Sequence, residues 1–229
     1  MRIFLSLVLL TLSTTAIPFS YLSQFGQDKY AHEHFFQNKH DGVFVDVGAH
    51  DGIAINNTYF LEKELGWTGI CIEPNPTVFE NLKKNRSCLC IQACAAAQEG
   101  VVKFIQAKGY TEMLSGMVHT FDPRHLTRLK REITQHGGSY SIIDVPALNL
   151  NTILKEHGFF HIDFLSIDVE GGEFEILKTI DFGTVDVSVI CIENNYNDNR
   201  QRQFLNSKGF QLVAILGGTD EIYVNDNAK

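Results

Sequence analysis

Four short stretches of this chain end an apolar run on a carboxylate: "FVDVGAHDG" (44–52), "CIEPNP" (71–76), "SIDVEGGE" (166–173) and "CIENN" (191–195). An acid followed by a tight glycine turn at the end of a buried strand is a common way to build a ligand loop. A dinucleotide site for hydride transfer needs G-x-G-x-x-G, so that a pyrophosphate can sit at a helix N-terminus. Here Gly48 is followed by Ala49, His50, Asp51 and Gly52. The central glycine is absent, and Asp51 in the turn repels a pyrophosphate but not a cation. Glu73 follows Gly48 by 25 positions, close to the spacing of ~20 at which an acid takes ribose hydroxyls in open α/β sheets. A carboxylate can accept from both hydroxyls of one ribose.

The ligand implied has a ribose, no pyrophosphate and a cationic or zwitterionic end. S-adenosylmethionine has all three properties. Asp46 is then expected to order the loop and help hold the ligand's ammonium, and Gly48 and Gly52 to let backbone approach the ligand closely. Asp168 and Glu170 lie two apart and start on one side of a strand. Transfer of a methyl group to an alcohol needs the hydroxyl proton removed, and a carboxylate can remove it. Asp168 is the expected base and Glu170 the group that orients the acceptor. In the alternative, Glu170 favours the positive end of the following helix while Gly171 and Gly172 make the turn. Asp168, Glu193 and Asn194 would meet at neighbouring strand ends, where three oxygen donors can hold Mg²⁺ and acidify the hydroxyl. In the alternative, Glu193 is structural and Asn194 only ends the strand. His50, in the cofactor turn, and His119 and His125, further on, are reserve bases. His32 and His34 read as a solvated helix face.

The elements that must position these groups alternate. Strand-like runs cover 43–47, 68–73, 88–95, 101–105, 162–169, 187–193 and 210–216, with helix-like segments at 58–65, 77–85, 152–157, 173–179 and 199–208. This pattern indicates an α/β fold, a mostly parallel sheet with helices on both faces. Lys108–Ser141 interrupts it. Polar and rich in Gly, His and Arg, it reads as an insertion or lid over the carboxyl edge of the sheet, helical near Pro123–Thr134. The Arg124–Arg131 cluster within it reads as a solvated face.

At 229 residues, with 44% hydrophobic residues and a net charge of −8, the chain has the composition of one acidic globular domain. That balance argues against nucleic acid as the main partner, because phosphate binding needs a basic face. The five cysteines lie in apolar runs without a C-x-x-C pair, which fits buried reduced thiols rather than zinc ligands. The N-terminus points elsewhere. "MRIFLSLVLLTLSTTA", Met1 to Ala16, resembles a short signal peptide. Its apolar run is shorter than the roughly 20 residues a bilayer requires. The thiols and the supply of cofactor suit a cytoplasmic location; the N-terminus suits export.

Together, "SQFGQDKY" (23–30), "FVDVGAHDG", "NNTYFLEKELGWTGICIEPNP" (56–76), "FLSIDVEGGEFEILK" (164–178) and "VICIEN" (189–194) resemble the FkbM family of methyltransferases. The likeness runs from Gln24 to Tyr223. It implies a class I, Rossmann-like fold, S-adenosylmethionine as methyl donor, and O-methylation of a hydroxyl on a sugar, glycan or small natural product. Similar domains also occur in secretory-pathway proteins with no clear methylation role, so a non-catalytic exported interaction protein is the alternative.

Overall fold

The computed structural model describes residues 20–226. The signal-like segment Met1–Ala16 lies outside them. In chain order the strands are β1 (Val43–Val47), β2 (Thr68–Ile72), β3 (Leu89–Ile91), β4 (Cys94–Ala95), β5 (Gly100–Lys108), β6 (Gly116–Met117), β7 (Ser139–Leu148), β8 (His161–Ile167), β9 (Asp186–Glu193), β10 (Phe210–Leu216) and β11 (Asp220–Asn225). The α-helices are α1 (Gln27–Ala31), α2 (Tyr59–Leu65), α3 (Pro76–Asn85), α4 (Pro123–His136), α5 (Leu150–His157), α6 (Glu173–Leu177) and α7 (Asn199–Ser207). None of the described helices is long and apolar enough to cross a membrane.

Seven strands form the main sheet in the order β10-β11-β9-β8-β1-β2-β3. Pairing is parallel from β3 through to β9 and antiparallel across β9-β11-β10. The chain runs outward from β1 to β3, then resumes on the other side of β1 with β8. The sheet order therefore reverses between β1 and β8, which opens a crevice at their carboxyl ends. Two apolar layers bury the sheet: one contains Val45, Ile70, Leu165 and Ile190, the other Phe44, Cys71, Phe164 and Cys191. Adjacent residues of each strand thus face opposite layers, as expected for strands buried on both faces. Local chemistry sets the helix starts. The side chains of Asn75, Asp122, Asn149 and Asp198 each accept a backbone N–H at the start of α3, α4, α5 and α7, and proline opens α3 and α4.

The structure changes three sequence expectations. The run 88–95 is two strands: β3 joins the main sheet, whereas β4 joins a second, four-stranded sheet ordered β4-β7-β5-β6. The run 101–105 also belongs to that second sheet. The interrupting segment is accordingly larger than Lys108–Ser141. It begins with β5 and ends with β7, which pair antiparallel from Gly100↔Ala147 to Lys108↔Ser139. A 3-10 turn (Gly109–Leu114) and α4 fill the space between them. Third, His32 is buried, and its Nδ1 lies 2.8 Å from the Tyr21 hydroxyl; only His34 is on the exposed side.

Candidate active site

A cavity of about 300 Å³ opens at the carboxyl ends of β1, β2, β8 and β9, roofed by the insertion. Asp46, Gly48, Glu73, Asp168, Glu170 and Glu193 line it; Gly52 and Asn194 do not. The two glycines have structural roles. A Cβ on Gly48 (φ +91) would lie 1.7 Å from the Asp168 carbonyl oxygen, and one on Gly52 (φ +78) would lie 2.6 Å from Arg86 Cγ. Each allows the chain to approach itself; Gly48 does so while lining the cavity, whereas Gly52 packs on Arg86 away from it. Asp168 N donates to Val47 O at 2.9 Å, which locks the ends of β1 and β8 together beside Gly48. Asp51 has no place in the ligand set either: its Oδ1 accepts from Ile53 N and Ala54 N, closing the turn.

Asp46 is buried, and its Oδ2 accepts from Asn56 Nδ2 (2.9 Å) and Thr58 Oγ1 (2.7 Å). Its Oδ1 makes no hydrogen bond among the described residues. Arg86, which the sequence did not single out, ties this loop together. It donates to Asn56 Oδ1 and Thr58 Oγ1, and it pairs with Glu62 at 2.5 Å. Nothing in "LKKNRS" distinguishes Arg86 from the lysines before it. Glu73 Oε2 accepts from His50 N (3.0 Å) and Oε1 from Asn75 N (2.7 Å). A carboxylate oxygen has two lone pairs, so each can take one further donor. Burial is the main cause that pushes Glu73 up to about 7, against those two N–H groups.

On the opposite wall, one carboxylate oxygen from each of Asp168, Glu170 and Glu193 lies within 4.8 Å of the others. Burial, and then the neighbouring carboxylates Glu173, Asp220 and Asp46, push Asp168 up to about 8. Burial and Asp168 raise both Glu170 and Glu193 well above the usual carboxylate range. Three carboxylates this close cannot all be ionised alone; they share protons or a cation. Glu170 sits at φ +62, a backbone conformation that costs a non-glycine residue about 1–2 kcal/mol. That turn aims its carboxylate at the cluster. The role at the start of α6 belongs to Glu173, which accepts from Val169 N and Gly171 N.

Asn194 departs from expectation. Its Oδ1 accepts from Asp198 N at 2.6 Å and its Nδ2 donates to Glu221 Oε1 at 2.9 Å. These bonds turn the amide toward the loop before α7 and β11, and Asn194 does not line the cavity. Glu170 stands in the cluster instead. Two residues of the supposed solvated face also reach the site. Arg128 lines the cavity and faces Glu170 and Glu193. His125 is buried, with Nε2 3.3 Å from Leu114 O and Nδ1 3.3 Å from Glu170 Oε2. The signal was there in the spacing: His125, Arg128 and Leu129 form an i, i+3, i+4 stripe, and Leu129 is core. His50 lines the cavity with Nε2 3.4 Å from Glu112 of the insertion, whereas His119 does not line it.

The residues present suit S-adenosylmethionine. Glu73 keeps spare acceptor capacity for two hydroxyls, and Asp46 Oδ1 is available to an ammonium.

Among solved structures, a methyltransferase FkbM from Methylobacillus flagellatus is 13% identical, covering 86% of this chain and 50% of its own, with a TM-score of 0.49. This chain thus spans half of that protein. A TehB-like SAM-dependent methyltransferase from Corynebacterium glutamicum is 8% identical over 89% of both chains, TM-score 0.45. M. capricolum TrmK, in complex with S-adenosyl-homocysteine, is 12% identical over 90% of this chain and 70% of its own, TM-score 0.42. No curated protein matches the sequence. The sequence pattern of the methyltransferase FkbM domain matches residues 46–212, more than half of the chain and every strand end that lines the cavity. The chain belongs to the FkbM methyltransferase family.

Proposed function

We propose that this protein transfers a methyl group from S-adenosylmethionine to a hydroxyl of a small molecule or glycan, with Asp168 as the base. The convergence of Asp168, Glu170 and Glu193 on the cavity that Asp46 and Glu73 wall carries this reading. S-adenosylmethionine supplies a methyl group on a sulfonium, electrophilic enough to be taken by an oxygen whose proton is being removed. Glu73 holds the ribose and Asp46 the ammonium. The closeness of the Asp168 backbone to Gly48 supports a base beside the bound cofactor. Glu170 and Glu193 set the charge of Asp168 by sharing its protons.

A base held near 8 is mostly protonated at neutral pH and works poorly there. Mg²⁺ on Asp168, Glu170 and Glu193 would ionise all three and bind the acceptor's oxygen. This is the second form of the same proposal, and the acidic cluster is what favours it. The experiment is a methyl-transfer assay on a panel of hydroxylated acceptors, run with chelator and with added Mg²⁺ across pH 6 to 9. Metal-free turnover that rises with pH through about 8 supports the shared-proton form. Activity lost to chelator and restored by Mg²⁺ supports the metal form. Transfer to none of the hydroxyls, with transfer to amines or thiols, refutes O-methylation.

A further inference from the structure

The loop "ENNYNDNR" (193–200) carries four asparagines, yet only Asn194 serves the carboxylate site's support. All four border a second cavity of about 600 Å³ between the N-termini of α4 and α7. The two cavities share two walls, Glu193 and Asn195. A molecule held in the second cavity can therefore present one group to the carboxylate cluster while the rest of it stays outside the cofactor space.

The charges around this cavity are already paired. Asp122 takes Arg124 at 2.7 Å and Asp198 takes Arg200 in the same local arrangement, so both helix ends carry an internal ion pair. Glu175 pairs with Lys178 at 2.8 Å, and Glu173 is held by backbone N–H groups. Of the lining carboxylates only Glu193 lacks an ion pair or a backbone donor, and it belongs to the cluster shared with Asp168 and Glu170; no guanidinium is left over for an anionic ligand. The uncommitted groups are neutral. The side-chain amides of Asn195 and Asn197 and the Tyr196 hydroxyl make no hydrogen bond among the described residues. Arg124 stacks on the Tyr196 ring at 3.7 Å, which fixes the ring's direction. Amides and a phenol both donate and accept, and so match alcohol hydroxyls, which do the same.

We propose that this second cavity is the acceptor subsite, and that its paired charges select an uncharged, hydroxyl-rich acceptor over an anionic one. The inference rests on the methyltransferase reading and adds where the acceptor lies and what charge it has. Arg124 and Arg200 are spent on Asp122 and Asp198, so a phosphate or carboxylate on the acceptor would face those acids without a free cation.

The test uses three forms of one sugar: methyl glucoside, glucuronate and glucosamine. Their binding to the full chain saturated with S-adenosylhomocysteine is followed by saturation-transfer NMR. Methyl glucoside should bind, and glucuronate should bind at least about tenfold more weakly, with glucosamine as the cationic reference. Asn195→Ala should weaken the neutral sugar about two- to tenfold, the loss of one neutral hydrogen-bonding group. Asn197→Asp adds one unpaired charge with little change of shape, and aspartate tolerates the left-handed backbone found there (φ 54). It should shift preference toward glucosamine. Equal binding of methyl glucoside and glucuronate, binding of none of the sugars, or binding unaffected by both substitutions overturns the subsite while S-adenosylhomocysteine still binds. Failure of S-adenosylhomocysteine to bind overturns the methyltransferase reading itself, and the subsite with it.

Discussion

Replacing Glu73 by alanine should destabilise the protein by an amount that depends on pH. Its carboxylate accepts two backbone N–H groups, from His50 and Asn75, and it is 7% exposed. Alanine leaves both donors without a partner, at roughly 1–3 kcal/mol each. Against this stands the cost of ionising a buried acid. The folded protein holds the Glu73 proton up to about 7, whereas the unfolded chain releases it near 4.5. Folded Glu73 binds more protons than unfolded Glu73 between those values, so its contribution is full below 4.5 and is lost as pH rises through 7. The penalty works out at about 1 kcal/mol at pH 5 and about 3 kcal/mol at pH 7. Glu73→Ala should therefore cost about 2 kcal/mol more stability at pH 5 than at pH 7. Urea unfolding of both proteins at the two pH values measures this directly, since the other acids titrate in both proteins and cancel. A substitution cost equal at both pH values would show that Glu73 is not held protonated in the fold, and the reasoning from its burial would be wrong.

Asp168→Asn should reduce turnover by about 10²–10⁴ while keeping cofactor affinity, because asparagine has the shape but takes no proton; single-turnover methyl transfer beside calorimetry separates the two, and wild-type turnover would return the search to His50 and His125. Gly48→Ala should cost about 3–5 kcal/mol, from the clash with the Asp168 carbonyl and the left-handed backbone, read as a collapse of Tm; an unchanged Tm contradicts the close approach of β1 and β8. Asn194→Ala should lower stability through the loop before α7 and leave the Mg²⁺ requirement of any metal-dependent activity unchanged, whereas Glu170→Gln should raise that requirement; the reverse pattern restores Asn194 as a ligand. If the N-terminal segment is a signal, protein from the native host should begin near Ile17; an intact Met1 or Arg2 refutes cleavage.

The main sheet was largely legible because its strands are buried on both faces and read as short apolar runs between capped helices. β1, β2, β8, β9 and β10 lie within a residue or two of where the pattern puts them. Of the second sheet, β5 and β4 were read as strands but assigned to the main sheet, and β7 was not read at all. β7 reads "SYSIIDVPAL", and most of it is exposed, so its residues carry little apolar contrast. β11 was missed because "DEIYVN" opens on two acids that are nevertheless buried: Glu221 is satisfied by Arg202, Asn194 and Tyr223. At the site, the strand-end acids were visible because fold rules say where to look. The exchange of Asn194 for Glu170 was not. It depends on the left-handed turn at Glu170 and on the hydrogen bonds that Asp198 and Glu221 make with Asn194, and spacing in the chain reports neither.

The central claim is that the cavity between the ends of β1 and β8 binds S-adenosylmethionine through Glu73 and Asp46. Isothermal titration of the purified chain with S-adenosylmethionine tests it most directly. At pH 8, where Glu73 is ionised, one site per chain is expected, weakened by roughly 1.5–3 kcal/mol in Glu73→Ala, the range for hydrogen bonds to a charged group. No saturable binding to the folded protein, or binding indifferent to Glu73, would contradict it.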